Sequence, residues 1–372
     1  MSMRTSPPFR ADHVGSLLRP PALLAARADF AAGRISADDL RAVEDVAIRD
    51  AVQMQRDVGL QDVTDGEFRR ASWHMDFIYA IGGVSRTAGE VHVQFHNEQG
   101  DIDFAPTAIA VAEKVRLEKP IFADAFTYLK SIAGDATPKL TIPSPSMVHY
   151  RAGQAAIDRD VYPDIDEFWN DLADAYADEL RALGELGCTY LQLDDTTLAY
   201  LNDPRQREYV AAQGSDGEHL HETYIRVINR ALAGRTEGMA VTMHMCRGNF
   251  RSSWAAEGGY DFVAETLFGQ LDLDGFFMEF DDARSGSFEP LRFVPPGKMV
   301  VLGLVTTKRG ELESKDELKR RIEEASRFVP LEQLCLSPQC GFASTVEGND
   351  LTVDQQREKL RLVVETAEEV WG

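Results

Sequence analysis

Cysteine is scarce in this chain: four in 372 residues, at positions 188, 246, 335 and 340. Four thiols cannot staple so long a chain, which excludes a disulfide-built scaffold and makes a reducing compartment, the cytoplasm, the expected location. Long apolar runs are missing too. Nothing approaches the ~20 consecutive apolar residues that cross a bilayer, and the start, MSMRTSPPFRADHVGS, has no apolar stretch of the kind that directs export. Basic residues are outnumbered, 39 Lys and Arg against 61 Asp and Glu, for a formal charge of -22. Such a surface repels phosphate backbones and anionic lipid, so nucleic acid and membranes are excluded as partners. There is also no Pro/Gly/Ser-rich linker, no low-complexity tract and no repeat with a period of roughly 20 to 50 residues. Residues 1–372 therefore read as one domain.

What is present is a core-forming composition, 44% hydrophobic, laid out as strands and helices in alternation. Strand-like runs are HVGSLL at 13–18, LQDVT at 60–64, KLTI at 139–142, TYLQLD at 189–194, AVTMHM at 240–245, GFFMEF at 275–280, KMVVLGL at 298–304 and QLCLS at 333–337. Between them Ser36-Ala37-Asp38-Asp39 opens a helix with apolar Leu40, Val43, Ala47, Ala51, Met54 and Val58, closed by Gly59. Another runs from Asp166 to Leu186 with Phe168, Leu172, Tyr176, Leu180 and Leu183 on one face, and Ser314 with Glu317 forms a capping-box pattern for a third. Eight strands alternating with helices predict an α/β fold, a (β/α)8 TIM barrel, with a doubly wound open sheet as the alternative. One segment breaks the alternation. Residues 91–106 alternate with period two around Glu98-Gln99-Gly100-Asp101, predicting a β-hairpin inserted after the second strand, within about residues 81–118. It is expected to cover the barrel mouth or to join subunits of a homo-oligomer.

Barrel chemistry sits at the C-terminal ends of strands, and the unusual residues fall there. His244 and Cys246 end the fifth predicted strand, Glu279 the sixth, and Cys340 lies just past the eighth. Taken singly, each also reads as a buried cysteine or a hydrogen-bonded core histidine. Together they offer imidazole, two thiolates and a carboxylate, a donor set that zinc accepts, and the period of a strand puts His244 and Cys246 on one side. Coordination to Zn2+ deprotonates a thiol while leaving sulfur electron density for attack. Four protein ligands argue against a hydrolytic site, which usually keeps three and a water, and Glu279 is the ligand expected to loosen for substrate. Ser16, Glu67 and Asp194 also end strands or follow them, although a turn residue, a loop charge and a helix cap are equally open for them. Cys188 and Cys335 are assigned to packing.

The segments HVGSLLRP, DGEFRR, LQLDD, HMC, MEF and SPQCGF resemble, in order and spacing, the catalytic barrel of cobalamin-independent methionine synthase over about residues 11 to 345. The resemblance implies that His244, Cys246, Glu279 and Cys340 hold zinc and that Ser16, Glu67 and Asp194 hold the amino-acid part of homocysteine. It implies methyl transfer from a small-molecule donor to the homocysteine thiol, giving methionine. The alternative is an S-alkyltransferase of the epoxyalkane:coenzyme M transferase kind, for whose sulfonate Arg19, Arg69, Arg70 and Lys308 are the available cations. Less favoured are a purely structural zinc and a decarboxylase of the uroporphyrinogen type, which shares the superfamily. The chain also departs from the pattern. Its length allows one barrel where full-length family members have two, Pro145 stands near the position of a pterin-stacking tryptophan, and Lys308 stands where the family has a proton-donating histidine. Lys308 and His74 are the candidate proton donors, with His13 and His149 as further histidines for which a structural role is the stronger expectation.

Overall fold

In a computed structural model of the chain, residues 3–90, 93–97, 100–104 and 107–372 are described. Seven strands form a parallel sheet: β1 (Asp62–Val63), β6 (Thr137–Pro143), β7 (Tyr190–Asp195), β8 (Ala240–Met245), β9 (Gly275–Glu279), β10 (Met299–Val305) and β11 (Leu334–Pro338), neighbours in that order. Most are buried along their whole length, as expected when helices cover a parallel sheet. The helix Ile165–Glu185 shows how the covering works. It starts at Asp164, whose carboxylate accepts the Asp166 amide, and it buries Phe168, Leu172, Tyr176, Leu180 and Leu183 against the sheet, the spacing of one helix face. Helix Ala37–Asp57 begins with the expected capping box at Ser36 and Asp39. Helix Lys315–Ala325 starts after Ser314 as predicted, but without a side-chain cap hydrogen bond from that serine.

The first predicted strand is a correction. Residues 13–18 lie outside every strand, and the stretch from Arg10 to Leu17 instead spans the gap between the two edge strands. At one edge the Asp12 amide donates to the Leu336 carbonyl at 3.0 Å and Leu336 returns a bond to Arg10 at 2.8 Å. At the other the Leu17 amide donates to the Gly66 carbonyl at 3.1 Å, and Thr64 Oγ1 donates to the Gly15 carbonyl at 2.6 Å. Gly15 has φ +140°, and a Cβ there would sit 2.7 Å from Thr141, so the chain takes an irregular path that a regular ladder forbids. A curled sheet whose edges share one spanning segment is consistent with a TIM-like barrel.

The insertion follows β1. Strands β2 (Gly82–Glu90) and β5 (Thr107–Arg116) pair antiparallel, as do β3 (Val93–Asn97) and β4 (Gly100–Phe104). The arm is thus longer than the hairpin predicted at 91–106, and Glu98 and Gln99 of the predicted turn lie outside the described residues. His96 exchanges backbone hydrogen bonds with Trp254 at 2.7 and 3.0 Å, which ties the arm to the loop after β8. Among the described residues no helix is long and apolar enough to cross a membrane.

Candidate metal centre and pocket

β8 carries His244 at its penultimate position, and Cys246 follows directly. Glu279 is the last residue of β9, and Cys340 lies two residues past β11. Their ligand atoms all lie within 4.8 Å of one another, and all four side chains are buried. The two sulfurs are 3.4 Å apart. Gly341, next to Cys340, lets Ser16 pack against this loop, since a Cβ there would stand 2.0 Å from Ser16 Oγ. Neither ring nitrogen of His244 makes a well-oriented hydrogen bond. Burial disfavours its cation, but the negative groups Cys340, Asp194 and Glu279 outweigh burial and raise its pKa. Cys340 is held well below the ordinary thiol range by its hydrogen bond with Cys246, with His244 assisting against burial, while the same bond and burial push Cys246 up. An orphaned imidazole beside two sulfurs and a carboxylate fits tetrahedral zinc, since burying such nitrogens without a partner is otherwise costly.

Behind the four ligands lies a supporting layer. The Arg247 amide donates to Glu279 Oε1 at 3.2 Å, and its guanidinium donates to the Glu279 carbonyl at 3.1 Å, the Gly258 carbonyl at 3.0 Å and Tyr260 Oη at 2.8 Å. Tyr260 Oη in turn accepts the Glu279 amide at 2.9 Å. Both ends of Glu279 are therefore fixed before any ligand arrives, the kind of support that orients metal ligands.

The centre opens into a narrow pocket with a cavity volume of about 50 Å3. Ser16, Glu67 and Asp194 line it together with His244, Cys246 and Cys340, so three separately predicted residues converge beside the quartet. Glu67 sits at φ +60°, a conformation that costs a non-glycine residue of order 1–3 kcal/mol and is found at functional sites. The Asp65 carboxylate holds its amide at 2.8 Å, and Arg19 its carbonyl at 3.0 Å. Its Oε1 accepts from Thr141 at 2.9 Å, while Oε2 is buried with no partner. Asp194 accepts from Gln192 at 2.7 Å. Burial, then the charge of Glu67, raises Asp194 to about 7, and burial raises Glu67 as well. At Glu67 the rise is opposed by Arg70, whose Nη1 lies 3.7 Å from Oε1.

The remaining predicted residues divide. His74 lines the pocket, its Nδ1 3.1 Å from Ser72 Oγ and its ring 4.3 Å from that of Trp73. Lys308 lies outside the pocket lining. It pairs with Asp281 at 3.1 Å in a separate cleft that also holds Arg251, Arg284 and Trp254. Arg19 is spent on four backbone carbonyls, Arg70 on Thr141 and, at 3.7 Å, on the Glu67 carboxylate, and Arg69 on Asp45. His13 is buried at the opposite end of the sheet, 3.5 Å from Asp62, and His149 bonds Tyr224 at 2.9 Å. Cys188 and Cys335 are buried, and burial pushes both thiols up to about 12, which leaves them inert. Pro145 precedes the helix Ser146–Ala152, and no aromatic ring takes its place there.

Rings reach the pocket from elsewhere: Trp73, Phe95 from the inserted arm, Tyr200 and Phe250. Sequence reasoning missed them, along with Asn249. The available signals were SWHMDF, which puts Trp73 beside His74, and the alternation of residues 91–106, which puts Phe95 in a strand without saying which face meets the pocket; Phe250 lies in a segment with no periodicity.

Comparison with known proteins agrees with this geometry. A family model described as "Cobalamin-independent synthase, Catalytic domain" matches residues 9–369. The uncharacterized protein YxjG of Bacillus subtilis is 50% identical over 379 residues, covering 99% of this chain and 96% of its own. A methionine synthase of Pyrococcus abyssi is 25% identical over 330 residues, 88% of this chain and 85% of that protein. A crystal structure from Listeria monocytogenes, 38% identical, covers 99% of this chain and all of its own with a TM-score of 0.78.

Proposed function

The chain belongs to the cobalamin-independent methionine synthase catalytic-domain family, and on that premise we propose that it is a zinc-dependent methyltransferase acting on the thiol of homocysteine to give methionine. The observation that carries the proposal is the opening of the His244, Cys246, Glu279 and Cys340 group onto a pocket with two buried carboxylates and, among its described lining residues, no Lys or Arg. Zinc bound by the four would supply a deprotonated, still nucleophilic substrate sulfur. Glu67 and Asp194 would take the substrate ammonium, whose charge relieves their mutual repulsion. Ser16 Oγ accepts the Ala343 amide at 3.3 Å, which leaves its O–H to donate to the substrate carboxylate. Arg247 and Tyr260 hold Glu279 in place. The aromatic walls keep water from the reacting sulfur. The proposal includes a single domain over residues 1–372, acting in the cytoplasm, whose inserted arm roofs the pocket.

A sulfonate thiol such as coenzyme M would need a cation where this pocket offers carboxylates. Arg19, Arg69 and Lys308 are engaged elsewhere and Arg70 is held by Thr141 and by Glu67 at 3.7 Å, and none of the four is among the described lining residues, which favours the amino-acid thiol. Titration calorimetry of the zinc-loaded protein with L-homocysteine and with coenzyme M, each in two buffers of different ionisation enthalpy, tests the choice. Homocysteine should bind with release of a proton, and coenzyme M far more weakly. Asp194→Asn should keep zinc and weaken homocysteine binding by about 1–3 kcal/mol, the cost of an ammonium left without its partner. Unchanged affinity in that variant would overturn the homocysteine assignment.

A further inference from the structure

Resting on the homocysteine reading above, we propose that Asn249 is a further substrate-binding residue, whose side-chain carbonyl completes with Glu67 and Asp194 a set of three acceptors for a primary ammonium and selects thiols that carry a free α-amino group. Asn249 is 6% exposed and lines the pocket together with both carboxylates. Its amide is oriented from behind. Nδ2 donates to the Gly341 carbonyl at 2.8 Å, and a carbonyl can only accept, so the nitrogen must face Gly341 and the oxygen must face away from it. That oxygen, Oδ1, is buried without a partner. Gly248 makes the orientation possible. It sits at φ +92°, and a Cβ there would stand 2.7 Å from Tyr200 Oη and 2.9 Å from Phe95, so glycine lets the chain turn back after Cys246 and bring Asn249 across to the Cys340 loop.

Buried acceptors normally have partners. Asn249 Oδ1 and Glu67 Oε2 are exceptions, since Thr141 bonds only Oε1 of Glu67 and Arg70 draws on the same oxygen from 3.7 Å. A ligand that supplies the missing bonds must bring donors, and a primary ammonium brings three N–H donors and no acceptor. Glu67, Asp194 and Asn249 offer it one acceptor each. In a cavity of about 50 Å3, a group bound to the two carboxylates lies within reach of the amide. A neutral amide also suits the third place. Burial and the charge of Glu67 already raise Asp194 to about 7; a third carboxylate would add repulsion, whereas an amide adds an acceptor and no charge. Ser16, whose O–H is left to donate, has the opposite polarity and faces the substrate carboxylate.

The test compares two thiols on the zinc-loaded protein: L-homocysteine and γ-mercaptobutyrate, the same molecule without its amino group. Calorimetry measures both on the unsubstituted chain and on Asn249→Leu, which keeps the side-chain size and removes the acceptor, with Asn249→Ala as a second variant should the first fail to fold. Each substitution should weaken homocysteine binding by about 10- to 100-fold, the scale of a hydrogen bond to a charged group, and leave γ-mercaptobutyrate nearly unchanged. Both substitutions also remove the bond to Gly341. A merely structural role would therefore act through the Cys340 loop, lower zinc affinity in chelator competition and weaken both thiols alike. Equal losses for the two thiols, or an unchanged homocysteine affinity, would overturn the role of Asn249. The unsubstituted protein separates this from the reading beneath it. If it binds the two thiols equally, the homocysteine assignment itself fails; if it prefers homocysteine and the variants keep that preference, only the role of Asn249 does.

Discussion

The two ends of the sheet both bury polar groups, and they do so in opposite ways. At the N-terminal end Lys139 Nζ donates to Asp12 Oδ1 at 2.8 Å with both side chains fully buried, and Tyr190 Oη donates to Asp12 Oδ2 at 2.8 Å. Burial keeps His13 neutral and raises Asp62 well above its ordinary value, so one cation and one anion remain and the cluster is close to neutral. At the C-terminal end Glu67, Asp194, Glu279 and Cys340 gather, opposed by Arg70 at 3.7 Å from Glu67 and by Lys308 acting on Glu279 from the neighbouring cleft. Fully compensated buried charge holds an architecture together, whereas a buried excess of one sign is kept ready for a ligand that brings the other sign.

The sharpest way to break this contrast is to remove one ligand at the open end. Cys340→Ser or His244→Ala should lower zinc affinity by more than the ~10–100-fold that loss of a merely supporting partner costs, and should abolish methyl transfer. Circular dichroism should survive. A variant that unfolds along with its metal would make the ion structural, and the contrast would fail. At the closed end Lys139→Met should cost about 3–5 kcal/mol, because it strands Asp12 as an unpaired buried charge. Denaturant titration measures that loss, and metal content per folded chain should not change. A cost below about 1 kcal/mol would put this pair in the class of surface salt bridges.

A matched pair of hydroxyl deletions is gentler. Tyr260→Phe removes the acceptor for the Glu279 amide and for the Arg247 guanidinium, and zinc affinity measured by chelator competition should fall ~10–100-fold. Tyr190→Phe removes a hydroxyl of the same kind from Asp12. It should lower stability and leave zinc affinity alone. Equal effects of the two on zinc would mean that the layer behind Glu279 orients nothing.

How much of this could be read from the sequence follows from what sets each feature. The quartet was legible because strand period and strand ends fix where His244, Cys246 and Glu279 must point, and Cys340 follows another strand end closely. The covering helices were legible from spacings such as Phe168, Leu172 and Tyr176. The first strand was not, because whether residues 13–18 pair as a ladder or as scattered single bonds depends on Gly15 at φ +140° meeting Thr141, a contact far away in sequence. Lys308 aligned with a position of chemistry, yet a buried ammonium is drawn to the nearest carboxylate, and Asp281 stands 3.1 Å away. Trp73 and Phe250 were hidden for a related reason: loop side chains take their direction from tertiary packing, and no local pattern records it, while for Phe95 the alternation of residues 91–106 gives a strand but not which of its faces meets the pocket.

The smallest expected effect is the most diagnostic of a closed, compensated cluster. Burial, then Lys139, lowers His13 from 6.5 to about 3, while burial and Asp12 raise Asp62 well above 3.8. The histidine alone would make stability fall as pH drops below 6.5, because the unfolded chain takes a proton that the fold refuses. The aspartate alone would make stability fall as pH rises above 3.8, because the fold keeps a proton that the unfolded chain releases. Below 6.5 the two slopes therefore oppose each other, the unfolded chain taking its proton on histidine and the fold favouring one on aspartate. Asp62→Asn removes one side of the balance. The variant's own stability should then fall by up to about 1.4 kcal/mol for each pH unit below 6.5, more steeply than that of the unsubstituted protein, read from denaturation curves at a series of pH values. A variant no steeper than the unsubstituted protein over that window would mean that Asp62 holds no extra proton in the fold, and that the closed end of the sheet is as open to charge as the pocket opposite it.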